Sequence, residues 1–285
     1  MANRLLTNTV LDQIKSMASI PVSQGRFSDA QLLLMAKDVL DTIIFPMLIN
    51  VRGGHNDVRE EVSSDSEGVI TIPERSYLNG FNKLKSKASN TFLNEVAESG
   101  FEDSYFCYYF IGDSVITSLQ SEDFVMTYTL RPPQLILETD APKVVSFNTT
   151  TRQVEVDVET FESSMDVIGQ NGYTKALNVG RSATTSSTLF TLGGTIVPSV
   201  GDYICAAGES PLIPVPQEVI GYFTRVLCSR ILQDIPDVEG FKQSMEIEMS
   251  MHKNIVEVLK PRGRKSPIYS KHPFINSGRS FRRYR

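Results

Sequence analysis

The chain has 285 residues, 41% of them hydrophobic, which is enough to bury a substantial core in one large domain or two smaller ones. No apolar run approaches the roughly 20 residues that cross a bilayer, and residues 1–19 mix polar with apolar side chains instead of forming a signal-peptide core. We therefore expect a soluble, unprocessed protein with no membrane partner.

The formal net charge of −5 conceals a division between the body and the C-terminal segment. Residues 260–285 contain nine Lys or Arg and no Asp or Glu, so residues 1–259 carry 19 basic and 33 acidic side chains, a balance of −14. An asymmetry of this size indicates a charged partner.

The three cysteines stand far apart, without a CxxC pair and in odd number. Neither a disulfide framework nor a zinc site is indicated, and synthesis in a reducing host cytoplasm is expected. Their apolar surroundings predict small buried hydrophobes. These residues are Cys107, Cys205 and Cys228.

Both ends of the body have helical periodicity. Residues 3–18 place apolar side chains three or four apart, and a second helix opens at Ser28, where S-D-A-Q has the form of a capping box with Gln31. Its wide apolar face predicts a central position, and Pro46 is expected to bend or end it. Near the C-terminus, helices are predicted over about 217–233 and up to residue 259, the second with an apolar stripe at Phe241, Met245, Met249, His252, Val256 and Leu259.

Residues 52–207 instead show short apolar runs bounded by turn residues, which is typical of strands. Gly112-Asp113-Ser114 predicts a hairpin turn. Valines at 154, 156 and 158 alternate with carboxylates, which indicates a strand with one face in water. We expect this region to be mostly antiparallel β.

These elements predict an α+β fold: a helical bundle formed by N- and C-terminal helix pairs, a large antiparallel β insertion and an extended C-terminal tail. The predicted domains are residues 1–51 together with 208–259 for the discontinuous bundle, residues 52–207 for the β insertion, and residues 260–285 for a basic arm. The terminal pairs are expected to pack together because each alone leaves an apolar stripe exposed, at roughly 25 cal/mol per Å².

The order of these features resembles the head-to-tail connector, or adaptor, proteins of tailed bacteriophages. The resemblance rests on Q-G-x-F-S-D-A-x-L-L (residues 24–33), L-R-P-P (130–133), G-D-Y-I-C-A-A-G-E-S-P (201–211) and a closing helix that ends L-K-P-R (259–262). It implies a ring, typically of twelve copies, seated beneath the portal in the virion neck, with helices in the ring wall and a C-terminal tail docked on the portal. The arm here is longer and more basic than a minimal adaptor needs, which leaves open whether it binds portal, DNA or both.

Groups for catalysis are scarce in the sequence. Three histidines are widely spaced, and neither a G-x-S-x-G elbow nor a P-loop is present. His252 is expected to be a packed, hydrogen-bonded residue. An acidic stretch over residues 57–67 lacks the order of a calcium loop, and aromatic residues over 105–110 are expected to serve a sheet core. We therefore predict no enzyme activity, no cofactor and no metal.

The basic arm is the predicted partner-binding site, because large apolar side chains sit among its charges and a merely solvated tail does not need them. Aromatic anchors and Arg forks suit a groove on a portal protein, whereas phosphate contacts suit DNA. The predicted portal-binding residues are Lys260, Arg262, Arg264, Lys265, Tyr269, Lys271, Phe274, Arg279, Phe281, Arg282, Arg283, Tyr284 and Arg285.

The functional hypothesis is a structural virion protein: a ring-forming adaptor that joins the portal to the next tail protein and surrounds passing genomic DNA without sequence specificity. The alternative is a nucleic-acid-binding protein that uses the basic tail as a phosphate-binding arm. A third hypothesis, a β-rich enzyme acting on cell-envelope sugar, needs a carboxylate pair in a cleft, and no such pair stands out.

Overall fold

The computed structural model describes residues 5–18, 27–101, 104–160, 162–184, 186–234 and 238–260. Counted by elements, this part of the chain is mostly β, with fifteen strands in four sheets against five α-helices. The predicted fold class, a bundle of terminal helices carrying a β insertion, is wrong, because no separate helical bundle is seen.

The helical segments are α1 (Thr7–Met17), α2 (Asp29–Val39), α3 (Phe45–Arg52), α4 (Gln217–Asp234) and α5 (Val238–Leu259). A π-helical turn over Leu40–Ile44 joins α2 to α3 without a break. Pro46 therefore does not end the helix, because the wider turn just before it accommodates a residue that has no N–H to donate. None of the described helices is both long and apolar enough to cross a membrane.

The capping box at the start of α2 is confirmed. Ser28 Oγ accepts from Gln31 N at 3.3 Å, and Ser28 N donates to Gln31 Oε1 at 2.9 Å. Ser28→Ala removes one of these bonds, so we expect it to lower the free energy of unfolding by about 1 kcal/mol. Urea denaturation measures the loss, and Ser28→Asp, which keeps an acceptor, serves as the control that should stay within a few tenths of the parent.

The strands form four sheets. A three-stranded sheet has the order β1-β7-β3, and a four-stranded sheet has the order β2-β6-β5-β4. A six-stranded antiparallel sheet has the order β14-β11-β12-β13-β10-β9, and a short parallel pair joins β15 to β8. The strands are β1 (Asp57–Ser63), β2 (Val69–Thr71), β3 (Lys83–Ser86), β4 (Asn94–Glu95), β5 (Cys107–Ile111), β6 (Ser114–Thr117), β7 (Asp123–Thr129), β8 (Gln134–Leu135), β9 (Val144–Asn148), β10 (Gln153–Val156), β11 (Ser164–Ile168), β12 (Thr174–Thr184), β13 (Leu189–Leu192), β14 (Tyr203–Ala206) and β15 (Glu209–Ser210).

The six-stranded sheet wraps around its own core. Its edge strands β9 and β14 are bonded to each other, through a bridge between Lys143 and Tyr203 and a bond from Val144 N to Asp202 O of 2.8 Å. Valines of β10 point inward and Glu155 points to water, as the alternation predicts. The core so enclosed is built mainly from Val144, Val154, Val156, Met165, Val167, Val179, Phe190, Leu192 and Ile204.

The helices share their core with strands, which is why they do not form a bundle of their own. Buried residues of β8, β11 and β14 belong to the same cluster as the helical stripes. The start of α1 is fixed by strand-like bonds, since Thr7 N donates to Pro211 O at 2.9 Å and Leu6 bridges Leu212. The strand residues in this cluster are Leu135, Ile168, Tyr203 and Cys205.

A buried ion pair joins the six-stranded sheet to the chain between β2 and β3. Asp166 of β11, fully buried, accepts from Arg75 Nη1 at 2.9 Å and lies 2.7 Å from Arg75 Nη2. It also accepts the backbone N–H groups of Asn178 and Gly208, both at 3.0 Å. The bidentate contact with Arg75 and the two backbone N–H donors offset the free energy that the Asp166 carboxylate loses when it is desolvated.

Candidate assembly surfaces

The predicted portal-binding site falls almost entirely outside the described residues. Lys260 is described: its Nζ lies 2.5 Å from Glu257 Oε1, and its backbone N–H donates to Val256 O at the end of α5. The arm therefore leaves the body directly from this helix. The other predicted residues lie outside the described residues, namely Arg262, Arg264, Lys265, Tyr269, Lys271, Phe274, Arg279, Phe281, Arg282, Arg283, Tyr284 and Arg285.

Helix α5 packs on α4 through small and polar side chains. Ser229 Oγ and Ser244 Oγ lie 2.9 Å apart, and Tyr222 Oη lies 3.0 Å from His252 Nδ1. Burial, and secondarily Glu248, raises the pKa of Tyr222 to about 12, so its hydroxyl stays neutral in this bond at ordinary pH. Met251 lies over Gly221.

The predicted stripe of α5 is confirmed in part. Phe241, Val256 and Leu259 face the core, together with Ser244, Met251 and Ile255, whereas Met249 is 61% exposed. His252 is hydrogen-bonded and packed against the Tyr222 ring as predicted, with ring centroids 5.6 Å apart, and its residue is exposed on the outer side. Ser244 therefore meets α4 within a face of α5 that is otherwise large and apolar.

Part of the apolar surface of α5 is left uncovered. Val238, half-buried Met245 and exposed Met249 repeat at intervals of seven and four, which places them on one face of a helix. Val238 is 66% exposed. Exposed Lys242 and Lys253 flank this face, and no ion pair among the described residues includes either of them. We call Val238, Met245 and Met249 the α5 stripe.

A groove between α2 and α4 is the second uncovered apolar surface. Its volume is about 420 Å³, and Leu34, 61% exposed, stands in it together with Met35 and Val39. Polar groups form the rest of the lining, namely Asp38, Arg230, Gln233 and Asp234. We call this the α2–α4 groove.

The stripe and the groove lie on different sides of α4. α5 covers Gly221, Tyr222 and Ser229, whereas the groove is lined by Arg230, Gln233 and Asp234. With 3.6 residues per turn, the mean directions of these two sets differ by about 110° around the helix. A contact between the stripe of one copy and the groove of another is therefore heterologous, and repetition of such a contact builds a ring or a filament.

Side chains of the acidic stretch (residues 57–67) and of the aromatic run (residues 105–110) make contacts within the fold. Glu60 accepts from Tyr128 Oη at 2.7 Å, and Asp65 accepts backbone N–H groups of its own loop. Within the described ranges, no group of three or more His, Cys, Asp or Glu side chains is placed to hold a metal ion. Of the aromatic run, Tyr108 is buried against Phe81, with ring centroids 4.9 Å apart, while Tyr105 is exposed.

Comparison of the sequence with protein-family models finds no match, and comparison with curated proteins finds none. The resemblance to phage connectors thus rests on the segments quoted above.

Proposed function

We propose that this protein is a structural virion protein, an adaptor ring in the neck of a tailed phage that joins the portal to the next tail protein without catalysis. The observation that carries this proposal is the pair of uncovered apolar surfaces on different sides of α4. A monomer gains nothing from exposing Leu34, Val238 and Met249 together, whereas a head-to-tail assembly buries all three.

The occupant of the α2–α4 groove is the α5 stripe of the neighbouring copy. Charges support this pairing, because Lys242 and Lys253 flank the stripe and Asp38 and Asp234 line the groove. Opposite charges at the rim favour the correct register, while the apolar centre supplies affinity.

The basic arm is the anchor to the portal. It carries nine positive charges on a body of −14, and it leaves from the end of α5, so each copy of a ring presents one arm near the same interface. Many weak arm contacts made by one ring act together through effective concentration. Twelve copies are what the connector resemblance implies.

Removal of residues 261–285 tests the role of the arm. The truncated protein is expected to form rings like the full chain but to lose binding to the purified portal, because the anchors are gone and the ring interface is not. Negative-stain images and co-sedimentation with portal measure both outcomes. A second, full-length variant keeps every charge of the arm but loses its aromatic anchors, because Tyr269, Phe274, Phe281 and Tyr284 are changed to Ser. This variant should also lose portal binding.

A specific result would favour the alternative function. If the truncated protein still docks on portal as rings but no longer binds duplex DNA, the arm is a phosphate-binding arm and the proposed anchoring role is wrong.

A further inference from the structure

The open face of the three-stranded sheet carries a cluster of cations. In the register, Arg59 of β1 and Lys83 of β3 both stand opposite Thr127, and Lys85 stands opposite Val125. Cross-strand partners share a face, so these three cations project from the same side of the sheet. The other side is closed by the buried core residues Leu84, Phe124, Met126 and Tyr128.

The Phe92 ring lies beside two of these cations, Lys83 and Lys85, on the open face. The ring is 53% exposed, and its centroid lies 5.9 Å from Lys83 Nζ and 5.6 Å from Lys85 Nζ. Backbone bonds fix the position, since Leu93 N donates to Leu84 O and Ser86 N donates to Thr91 O, both at 2.9 Å. Cation–π attraction orders the ammonium groups without neutralising them.

The three cations lack carboxylate partners, in contrast to most lysines of the body. No ion pair of the described residues includes Arg59, Lys83 or Lys85, whereas the Nζ atoms of Lys15, Lys37, Lys87 and Lys175 lie within 3 Å of carboxylate oxygens. Asp57 at the margin is already engaged, because its Oδ1 accepts from Asn82 and Thr129. Glu61 and Asp123 share this face in the register, but Glu61 is paired with Lys87, and Asp123 Oδ1 accepts from Ser63 Oγ. The face therefore presents three cations that belong to no ion pair among the described residues.

The face is also concave. A depression of about 440 Å³ lies between β1 and the Phe92 ring, and backbone pleating separates Lys83 from Lys85 by roughly 7 Å along the strand. Its lining consists of Asp57, Arg59, Lys83, Lys85, Phe92, Val125 and Thr127.

We infer that this face binds the phosphodiester backbone of nucleic acid without reading its sequence. A repeating polyanion matches cations set at a regular interval, with Arg59 able to fork onto one phosphate and each lysine acting as a point charge. The lining contains no Asn or Gln side chain that reads a base edge, and its one aromatic ring is occupied by ammonium groups. An acidic peptide fits less well, because Val125 is the only aliphatic side chain available as an anchor.

The inference does not depend on ring assembly or on the arm. Three cations per copy give weak binding, and weak, non-specific contacts let a polyanion slide past the surface. In a ring the same contacts would be repeated around the circle and act together.

Duplex DNA with a fluorescent label tests the inference with the full-length protein. Lys83→Gln/Lys85→Gln is expected to weaken binding at low salt and to reduce the slope of log K against log salt by about 2, at roughly 0.9 per lost phosphate contact. The matched control, Lys15→Gln/Lys143→Gln, removes the same charge from lysines that lie next to carboxylates elsewhere and should leave the slope unchanged.

Two outcomes of this binding experiment would contradict the inference. If both double variants keep the parent's affinity and slope, or lose them equally, the sheet face does not bind nucleic acid and the proposal is overturned. Circular dichroism and thermal melting confirm that each variant is folded, and sedimentation of the same samples reports ring assembly separately, so failure of the ring proposal remains distinguishable.

Discussion

Met249→Asp is expected to leave the chain folded and to abolish its assembly. The side chain is exposed in the single copy, so a carboxylate there costs little in the fold. In the assembled state the substitution removes about 3 kcal/mol of stabilisation from apolar burial, which raises the dissociation constant of each contact on the order of 100-fold. Because a closed ring needs every contact at once, sedimentation velocity should show monomers where the parent forms rings.

Ile247→Asp is the matched control for this substitution. Ile247 is also an exposed apolar residue of α5, but it stands two positions away and therefore points to the opposite side of the helix from the stripe. It introduces the same charge and should assemble like the parent. Normal rings from Met249→Asp, or equal loss of rings by both variants, would rule out the stripe as the interface.

Arg75→Met should be the most destabilising single change in the body. It leaves the Asp166 carboxylate buried with two N–H donors and no counter-charge, and breaking such a pair typically costs 3–5 kcal/mol. Urea or guanidinium denaturation measures this loss from the free energy of unfolding.

The double variant Arg75→Met/Asp166→Asn separates charge from packing. With both charges removed, no uncompensated carboxylate remains, but the amide NH2 cannot accept one of the two backbone N–H groups that Asp166 accepts, so we expect it to regain part of the stability lost by Arg75→Met. The interpretation fails if the single change costs under about 1 kcal/mol, or if the double variant is the less stable of the two.

Local features of the fold could be predicted from the sequence. The capping box at Ser28, the alternation in β10 and the hairpin at Gly112, where Ile111 pairs with Ser114, all depend on residues within a few positions of one another. The predicted buried positions of the three cysteines are likewise confirmed.

Long-range packing could not be predicted in the same way. The strands over 134–210 supply Leu135 and Tyr203 to the helical core, and no periodicity shows that a strand will cover a helix. The face of α5 that meets α4 includes buried Ser244, a residue that carries no hydrophobic signal. The prediction of a helical bundle was wrong because it took the apolar stripes of the helices to pack against one another, whereas they pack against strands as well.

The residues of the candidate surfaces can be named from the sequence, but their exposure and their neighbours could not be predicted from it. The wide apolar face of α2 predicts a central helix, and its members over residues 32–40 are buried, whereas Leu34, which that face does not include, stands exposed in the groove. The Lys83, Lys85 and Phe92 cluster needs the turn over residues 87–91 to bring the ring back beside β3, and no motif marks that turn.

Cross-linking between copies tests the assembly most directly. Leu34→Cys and Met249→Cys are made separately and mixed under oxidation, while Cys107, Cys205 and Cys228 are buried and stay out of the reaction. We predict a disulfide only in the mixture, and a ladder ending in a closed ring when both substitutions are in one chain. Cross-linking of Met249→Cys with itself, or no cross-link in the mixture, would contradict the head-to-tail interface.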